Sequence, residues 1–133
     1  MNILQIIPEL LVEDMPKTVR FYKDILGFKP EITLPEKDPV FVQVGRDNVH
    51  VMLYTRNEFE KDIPGLKKVT MGGTVLLYIK AQKIEDFYAR INKSVTVIQH
   101  LHKTDYGTLE FTITDCNGYL IAFSETLTQN KKS

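Results

Sequence analysis

The sequence predicts an α+β protein made of two tandem βαβββ modules, each a strand followed by a helix and three further strands. The order of elements deduced from hydrophobic periodicity occurs twice, once on each side of a charged segment at residues 56–71. Both predicted helices contain the dipeptide Phe-Tyr, at Phe21-Tyr22 and at Phe87-Tyr88. A chain of 133 residues is long enough for two such small modules that share one core.

The first module opens with dense apolar residues at 3–12, which predict a strand. Asp14 then provides an N-cap, and apolar residues recur at helical spacing until Gly27, a residue that favours the left-handed conformation at a helix end. The pattern therefore predicts a helix over 15–26. Three strands complete the module, at 31–34, 40–44 and 49–55.

The second module repeats this order after Gly72-Gly73. A strand is predicted at 74–80, and apolar residues spaced i, i+3, i+4 and i+7 predict a short helix between Ile84 and Ile91. The remaining strands are predicted at 95–101, 108–114 and 119–125.

A connector is expected between the modules. Residues 56–71 are charged, contain Pro64-Gly65 and follow no regular period, so no helix or strand is expected there. We therefore divide the chain, as one structural domain, into a first module at 1–58, a connector at 59–72, a second module at 73–127 and a polar tail at 128–133.

The composition limits the partners and the compartment. Seventeen basic and seventeen acidic residues give a formal net charge of zero, which provides no general attraction to nucleic acid or to an anionic membrane. The single cysteine, Cys116, cannot form an internal disulfide and fits a reducing compartment. No signal peptide is expected, because the first residues lack a basic region, and no apolar run reaches the ~20 residues of a membrane span. We expect a cytoplasmic protein.

Two segments, VEDMPKTVRFYKDILGF near the start and TLEFTITDCNGYLIAF near the end, together with the repeated module, resemble the vicinal oxygen chelate superfamily. This superfamily includes glyoxalase I, extradiol dioxygenases, fosfomycin resistance proteins and bleomycin resistance proteins. Asp115 and Gly118 match its D-P-x-G turn, with Cys116 at the usual proline position. The resemblance implies an open, curved mixed sheet around a cleft, in a protein that commonly forms a homodimer.

The resemblance also implies where metal ligands would lie, on the first and last strands of each module. Those four positions fall on Ile7, Met52, Thr74 and Ala122. Isoleucine and alanine have no donor atom, a thioether is a soft donor and a threonine hydroxyl is a weak one, so we expect no metal and no other cofactor. Without a Lewis acid, the metal-dependent reactions of the superfamily have no obvious route. The chain is therefore closest in character to the metal-free branch that resembles bleomycin resistance proteins.

A ligand-binding cleft is expected on the strand faces that carry these positions. Side chains alternate along a strand, so neighbours two residues away share the same face. The residues expected to line the cleft are Ile7, Glu9, His50, Met52, Tyr54, Thr74, Tyr78, Ala122 and Ser124. This mostly apolar lining with a few polar groups suits a small apolar or amphipathic molecule. Alternatively, the same residues form a filled core between two sheets.

Two pairs of polar residues in the sequence could take part in a functional site. Glu9 and His50 can orient a ligand or move a proton, or they are ordinary solvated side chains. His100 and His102 lie two residues apart in a predicted strand, so both rings would project from one face and bind a metal if Glu110 approached. Otherwise they are exposed histidines without a role in a site.

Three hypotheses for function follow. The first is metal-free binding of a small molecule, with no catalytic residue and with antibiotic sequestration as one form; the neutral net charge counts against a strongly cationic drug of the bleomycin type. The second is a metal-dependent lyase, isomerase or dioxygenase with a shifted ligand set drawn from Glu9, His50, His100, His102 and Glu110. The third is a structural or regulatory dimer whose cleft has collapsed.

Overall fold

The computed structural model describes residues 1–63, 70–72 and 75–128. The chain falls into two compact units, residues 1–71 and 72–133. Each unit contains one mixed sheet of four strands. The predicted α+β class with two βαβββ modules is therefore confirmed.

The first unit contains four strands, a helix between the first two strands and a second helix after the last. Strand order in its sheet is β1-β4-β3-β2, with β1 parallel to β4 and the other neighbours antiparallel. The elements are β1 (Glu9–Val12), α1 (Met15–Arg20) with a π-helical continuation (Phe21–Ile25), β2 (Lys29–Leu34), β3 (Phe41–Arg46), β4 (Val49–Thr55) and α2 (Arg56–Asp62).

The ends of the first helix follow the signals in the sequence. The side chain of Asp14 accepts a hydrogen bond from the backbone N–H of Lys17 at 3.0 Å, which satisfies one of the free donors of the first turn. At the other end Gly27 has a φ of 77°. A Cβ at this position would also crowd the guanidinium of Arg46, which donates to the carbonyl of Leu26 at 2.7 Å. Only glycine satisfies both demands without strain.

The first strand is shorter than the apolar run that predicts it. Pairing with β4 is restricted to residues 9–12, although the carbonyl of Pro8 still accepts from the N–H of Met52 at 2.9 Å. The side chains of Ile3, Leu4 and Ile6 are exposed. Pro8 has no N–H to add to a sheet, which accounts for the end of regular pairing at this point.

The expectation of an irregular connector is wrong for its first part, where α2 (Arg56–Asp62) forms. Arg56 Nε donates to Glu60 at 2.7 Å and Lys61 donates to Glu58 at 3.1 Å, so the alternating charges are i,i+4 and i,i+3 pairs on a helix. The ring of Phe59 contacts that of Tyr54 at a centroid distance of 5.7 Å. Pro64-Gly65 lies outside the described residues.

The second unit contains one helix between its first two strands. Strand order is β5-β8-β7-β6, with β5 parallel to β8. Its elements are β5 (Leu76–Lys80), α3 (Ile84–Ile91), β6 (Thr96–Lys103), β7 (Thr108–Thr114) and β8 (Leu120–Thr126). The helix has the predicted ends, and every strand overlaps its prediction.

One face of each sheet is the buried core. In the second unit Phe87 of α3 packs on Phe123 at 5.2 Å between ring centroids, and Phe111 stacks on Phe123 at 5.1 Å. In the first unit the buried positions of the strands alternate in the same way and are Leu10, Val12, Val42, Val44, Val51 and Leu53. The residues between these positions lie on the opposite side of the sheet, away from α1 or α3. We call this side the second face of each sheet. It carries His50, Met52 and Tyr54 in β4, and Ala122 and Ser124 in β8.

None of the helices in the described part of the chain has the length and apolar character needed to cross a membrane.

Candidate functional site

The expected residues of the first unit lie on its second face. Glu9 is the register partner of Met52 in the parallel pair of β1 and β4, and His50 and Tyr54 occupy alternate positions on either side of Met52. Ile7 precedes β1 and is partly buried. Met52 and Tyr54 are also partly buried, whereas Glu9 is exposed.

His50 forms its carboxylate pair with Glu31, not with Glu9 as hypothesised. The Nδ1 atom of His50 lies 2.8 Å from Oε1 of Glu31, and Gln43 donates to the same oxygen at 3.0 Å. Both hydrogen bonds lower the pKa of Glu31, and that of Gln43 has the larger effect. A Cβ at Gly45 would collide with the Glu31 carboxylate, so the missing side chain leaves room for this group.

Sequence reasoning missed Glu31 because its strand is irregular. A register shift between Pro30 and Ile32 interrupts the pairing of β2 with β3 at this residue. Strand alternation assigns a face only where pairing is regular, and a bulge redirects the side chain. The pair is therefore visible only in the folded sheet.

In the second unit two of the expected residues meet. Tyr78 of β5 is the register partner of Ala122 in β8, and its hydroxyl oxygen lies 2.8 Å from Oγ of Ser124. Ser124 is only 2% exposed, whereas Tyr78 is 46% exposed. Thr74 lies outside the described residues. The second face of this unit thus combines an exposed ring with a buried hydroxyl.

The centre of this arrangement is Glu110, a residue of β7 that is 8% exposed. Its Oε2 atom accepts hydrogen bonds from Tyr78 at 2.5 Å, from Ser124 at 2.9 Å and from Thr108 at 2.9 Å. Its Oε1 atom accepts from Tyr106 at 3.0 Å. We refer to Glu110, Tyr78, Tyr106, Thr108 and Ser124 as the Glu110 cluster.

The cluster holds a carboxylate in its ionised form. Burial raises the pKa of Glu110, but the four hydroxyl donors together outweigh it and leave this pKa below its ordinary value. The same hydrogen bonds raise the pKa of Tyr78 and of Tyr106, so both phenols keep their protons and remain donors. At neutral pH the cluster therefore carries one negative charge.

Within the described residues, Glu110 forms no ion pair with a lysine, arginine or histidine. Its register partner on β6, His102, lies with Nδ1 2.8 Å from the carbonyl oxygen of His100. Lys80, beside Ser124 in the register of β5 and β8, is exposed. The hydroxyl donors stabilise the carboxylate without neutralising it.

Glu110 was considered from the sequence only as a third metal ligand. The signal that identifies it is its position: Glu110 pairs directly with Ser124, and register partners in an antiparallel pair share a face. Tyr106 lies in the turn before β7, where periodicity carries no information about direction. Its role is visible only from the structure.

The two histidines of β6 do not form the expected pair. The ring of His100 contacts Tyr88 of α3, whose hydroxyl lies 2.5 Å from Nδ1 of His100. His102 instead pairs in register with Glu110. Gln99 pairs with Thr112, so β6 has one residue more than β7 between these two pairs, which is a bulge. Because the bulge reverses the alternation of side chains along β6, the rings of His100 and His102 lie on different faces of the sheet.

The side chains at the expected metal positions do not fit a divalent ion. Ile7 and Ala122 are hydrocarbon, and the thioether of Met52 is a soft donor. Throughout residues 1–63, 70–72 and 75–128, no group of three or more histidine, cysteine, aspartate or glutamate residues is close enough to hold a metal. We therefore derive no chemistry through a metal at this site.

Comparison with known proteins gives one family and a common fold. A sequence model described as the glyoxalase/bleomycin resistance protein/dioxygenase superfamily matches residues 3–123. No curated protein matches the sequence significantly.

Several solved structures share the fold at low sequence identity. A protein of unknown function from Agrobacterium tumefaciens str. C58 is 22% identical with a TM-score of 0.79, and the alignment covers 96% of this chain and 97% of that one. Lactoylglutathione lyase from Agrobacterium tumefaciens is 19% identical, with a TM-score of 0.70 and coverage of 91% and 92%. TnmS3, an antibiotic binding protein from Streptomyces sp. CB03234, is 17% identical, with a TM-score of 0.67 and coverage of 95% and 99%. Identities this low establish similarity of fold alone.

Proposed function

Because the chain belongs to the glyoxalase/bleomycin resistance protein/dioxygenase superfamily, we propose that it binds a small amphipathic molecule without a metal ion. The observation that carries this proposal is the Glu110 cluster. The cluster lies on the same face of its sheet as Ala122, which the sequence predicts to be at a metal position, and it supplies polar groups that could hold a ligand there. A binding site that depends on hydroxyls and a carboxylate needs no metal.

The apolar part of the ligand would contact the side chains around the cluster. Leu76 and Tyr78 of β5 lie on the second face and are both nearly half exposed. Apolar and aromatic surface with a few fixed polar groups is typical of small-molecule sites.

Antibiotic sequestration is one specific form of this proposal. It is supported by the family and by the fold shared with TnmS3, which is named an antibiotic binding protein. A homodimer in the cytoplasm, as the sequence predicts, completes the proposal. The sequence also predicts ligand contacts from four further residues, and these stay predictions: Ile7, Glu9, His50 and Thr74.

The metal-dependent alternative has less support. It draws its ligands from Glu9, His50, His100, His102 and Glu110, and the bulge in β6 directs His100 and His102 to different faces. The carboxylate of Glu110 is engaged by four hydroxyl donors. We therefore propose binding, not metal-assisted catalysis.

A thermal-shift panel of amphipathic antibiotics and metabolites, run with and without EDTA, tests this function. A compound present at 100 times its Kd should add about 2.7 kcal/mol of stability, and EDTA should leave the shift unchanged. Loss of the shift in EDTA, or a tightly held divalent ion at about one per chain in protein purified without chelator, would contradict metal-free binding. Absence of any shift across a broad panel would favour a structural or regulatory dimer.

A further inference from the structure

We propose that the Glu110 cluster recognises an organic cation, so that the bound molecule carries a protonated amine or a quaternary ammonium group beside its apolar part. This inference rests on the proposed function and names the chemical class of its ligand. It is argued from the charge of the cluster, from the direction of its hydrogen bonds and from the exposure of its two tyrosine rings.

Glu110 carries a negative charge that no described residue compensates with an ion pair. A carboxylate that is 8% exposed has lost most of its hydration, and buried charges are normally paired with an opposite charge. Here the described residues supply hydroxyl donors and no ion-pair partner. A cation bound over the exposed tyrosine rings would provide a positive charge close to this carboxylate.

The hydrogen bonds of the cluster all donate toward Glu110. Tyr78 and Tyr106 both donate their hydroxyl protons inward to Glu110. The groups that remain available on the outside of these phenols are the lone pairs of their oxygens and the faces of their rings. The lone pairs accept hydrogen bonds and the ring faces attract cations, so a ligand at this site must supply the hydrogen-bond donor or the positive charge.

The two tyrosine rings of the cluster expose aromatic surface. Tyr78 is 46% exposed and Tyr106 is 67% exposed, although their oxygens are anchored to one carboxylate. A cation over the face of a tyrosine ring is attracted by the ring quadrupole, and the charge of Glu110 beneath adds to this attraction. A neutral ligand would gain only the apolar contact, and an anion would be repelled.

The zero net charge of the chain does not oppose this inference. Charges on the surface are screened beyond about 8 Å at physiological ionic strength, so a bound cation responds to the groups nearest to it. At the Glu110 cluster those groups are Glu110 and two tyrosines, with His102 and the exposed Lys80 as their neighbours in register. The neutral net charge therefore fails to steer a cationic ligand at long range, but it does not weaken contact at this site.

The test compares benzylamine, which is a cation at neutral pH, with benzyl alcohol, a neutral molecule of nearly the same size. Both are titrated into the full chain and followed by NMR chemical shifts. We expect benzylamine to bind about tenfold more tightly, which corresponds to ~1.4 kcal/mol. Glu110→Gln should remove this preference, and the affinity for benzyl alcohol should remain within about twofold of the wild-type value.

Two further variants keep the test decisive. Glu85→Gln removes the same charge from an exposed position on α3, and it should leave both affinities unchanged. Tyr106→Leu removes an exposed ring without opening the core, and it should weaken benzylamine about threefold, as expected for one exposed cation–π contact. This variant remains informative if Glu110→Gln does not fold.

Equal affinity for the two probes, equal losses for both in Glu110→Gln, or no detectable binding of benzylamine would overturn the inference. The outcome can be separated from failure of the proposed function. If neutral compounds of the panel bind and cationic ones have no advantage, the protein is a metal-free binder and only the cation preference is wrong. If no compound of any charge binds, both proposals are wrong.

Discussion

Glu110 illustrates how single side chains keep a nearly buried carboxylate charged. Burial disfavours the ion, yet hydroxyls of Tyr78, Ser124, Thr108 and Tyr106 donate to it and leave its pKa lowered. A comparable device occurs in the first unit, where Gln43 and His50 lower the pKa of Glu31. In both cases neutral or titratable donors, and not lysine or arginine, stabilise the carboxylate.

The lowered pKa of Glu110 makes a prediction about pH. A carboxyl group whose pKa is lower in the folded than in the unfolded state stabilises the fold above its ordinary pKa of 4.5, and this contribution is lost as the pH falls through the folded value. Urea unfolding should therefore show a difference between wild type and Glu110→Gln at pH 7 that shrinks below about pH 4. A difference that stays constant across this range would show that the lost stability does not come from ionisation.

Gly45 makes a second prediction at the scale of one residue. Gly45→Ala places a methyl group against the carboxylate of Glu31, the mobile end of a flexible side chain, so Glu31 should move and release His50. The Nδ1 resonance of His50 in ¹⁵N NMR should change, while that of His102 serves as the internal reference. An unchanged His50 signal would mean that the pair does not depend on the close approach of Gly45.

The helices and strands show what periodicity can and cannot predict. The helix at 15–26 and the strand at 108–114 were predicted closely, because each has a regular apolar period and clear terminal residues. The helix Arg56–Asp62 was missed because its stability draws on charged pairs, which give no apolar period. The first strand was predicted too long because apolar composition does not reveal where pairing stops.

In the candidate site, too, the sequence predicts the residues of regular strands and misses those at bulges and turns. Tyr78 and Ser124 were placed on one face by strand alternation, and the structure joins their hydroxyls. Glu31 and His102 lie at bulges, and Tyr106 lies in a turn. Alternation fails at such positions, so these partners could not be assigned before the fold was known.

At the scale of one helix, the cap of α1 can be tested with a matched pair of variants. Asp14→Ala removes the acceptor for the N–H of Lys17 and should lower the free energy of unfolding by about 1 kcal/mol. Asp14→Asn retains a capping oxygen and should cost much less. Urea unfolding of the three proteins measures both effects, and equal losses in the two variants would point to charge, not capping, as the cause.

At the scale of the whole molecule, the expected assembly is a homodimer. The resemblance to the superfamily implies it, and the exposed apolar side chains of Ile3, Leu4 and Ile6 are available for contact with a second chain. Sedimentation equilibrium should therefore give twice the 15.4 kDa mass of one chain. A single species at the mass of the monomer, at concentrations well above those in a cell, would contradict the dimer.

We propose that the second face of the sheet in the second unit binds a small molecule without a metal. The most direct measurement is an NMR titration in EDTA with a compound that stabilises the protein in the panel. We predict shift changes that include Tyr78, Glu110, Ala122 and Ser124, with the same affinity as in untreated protein. No shift changes in EDTA, or changes confined to residues away from this face, would contradict the claim.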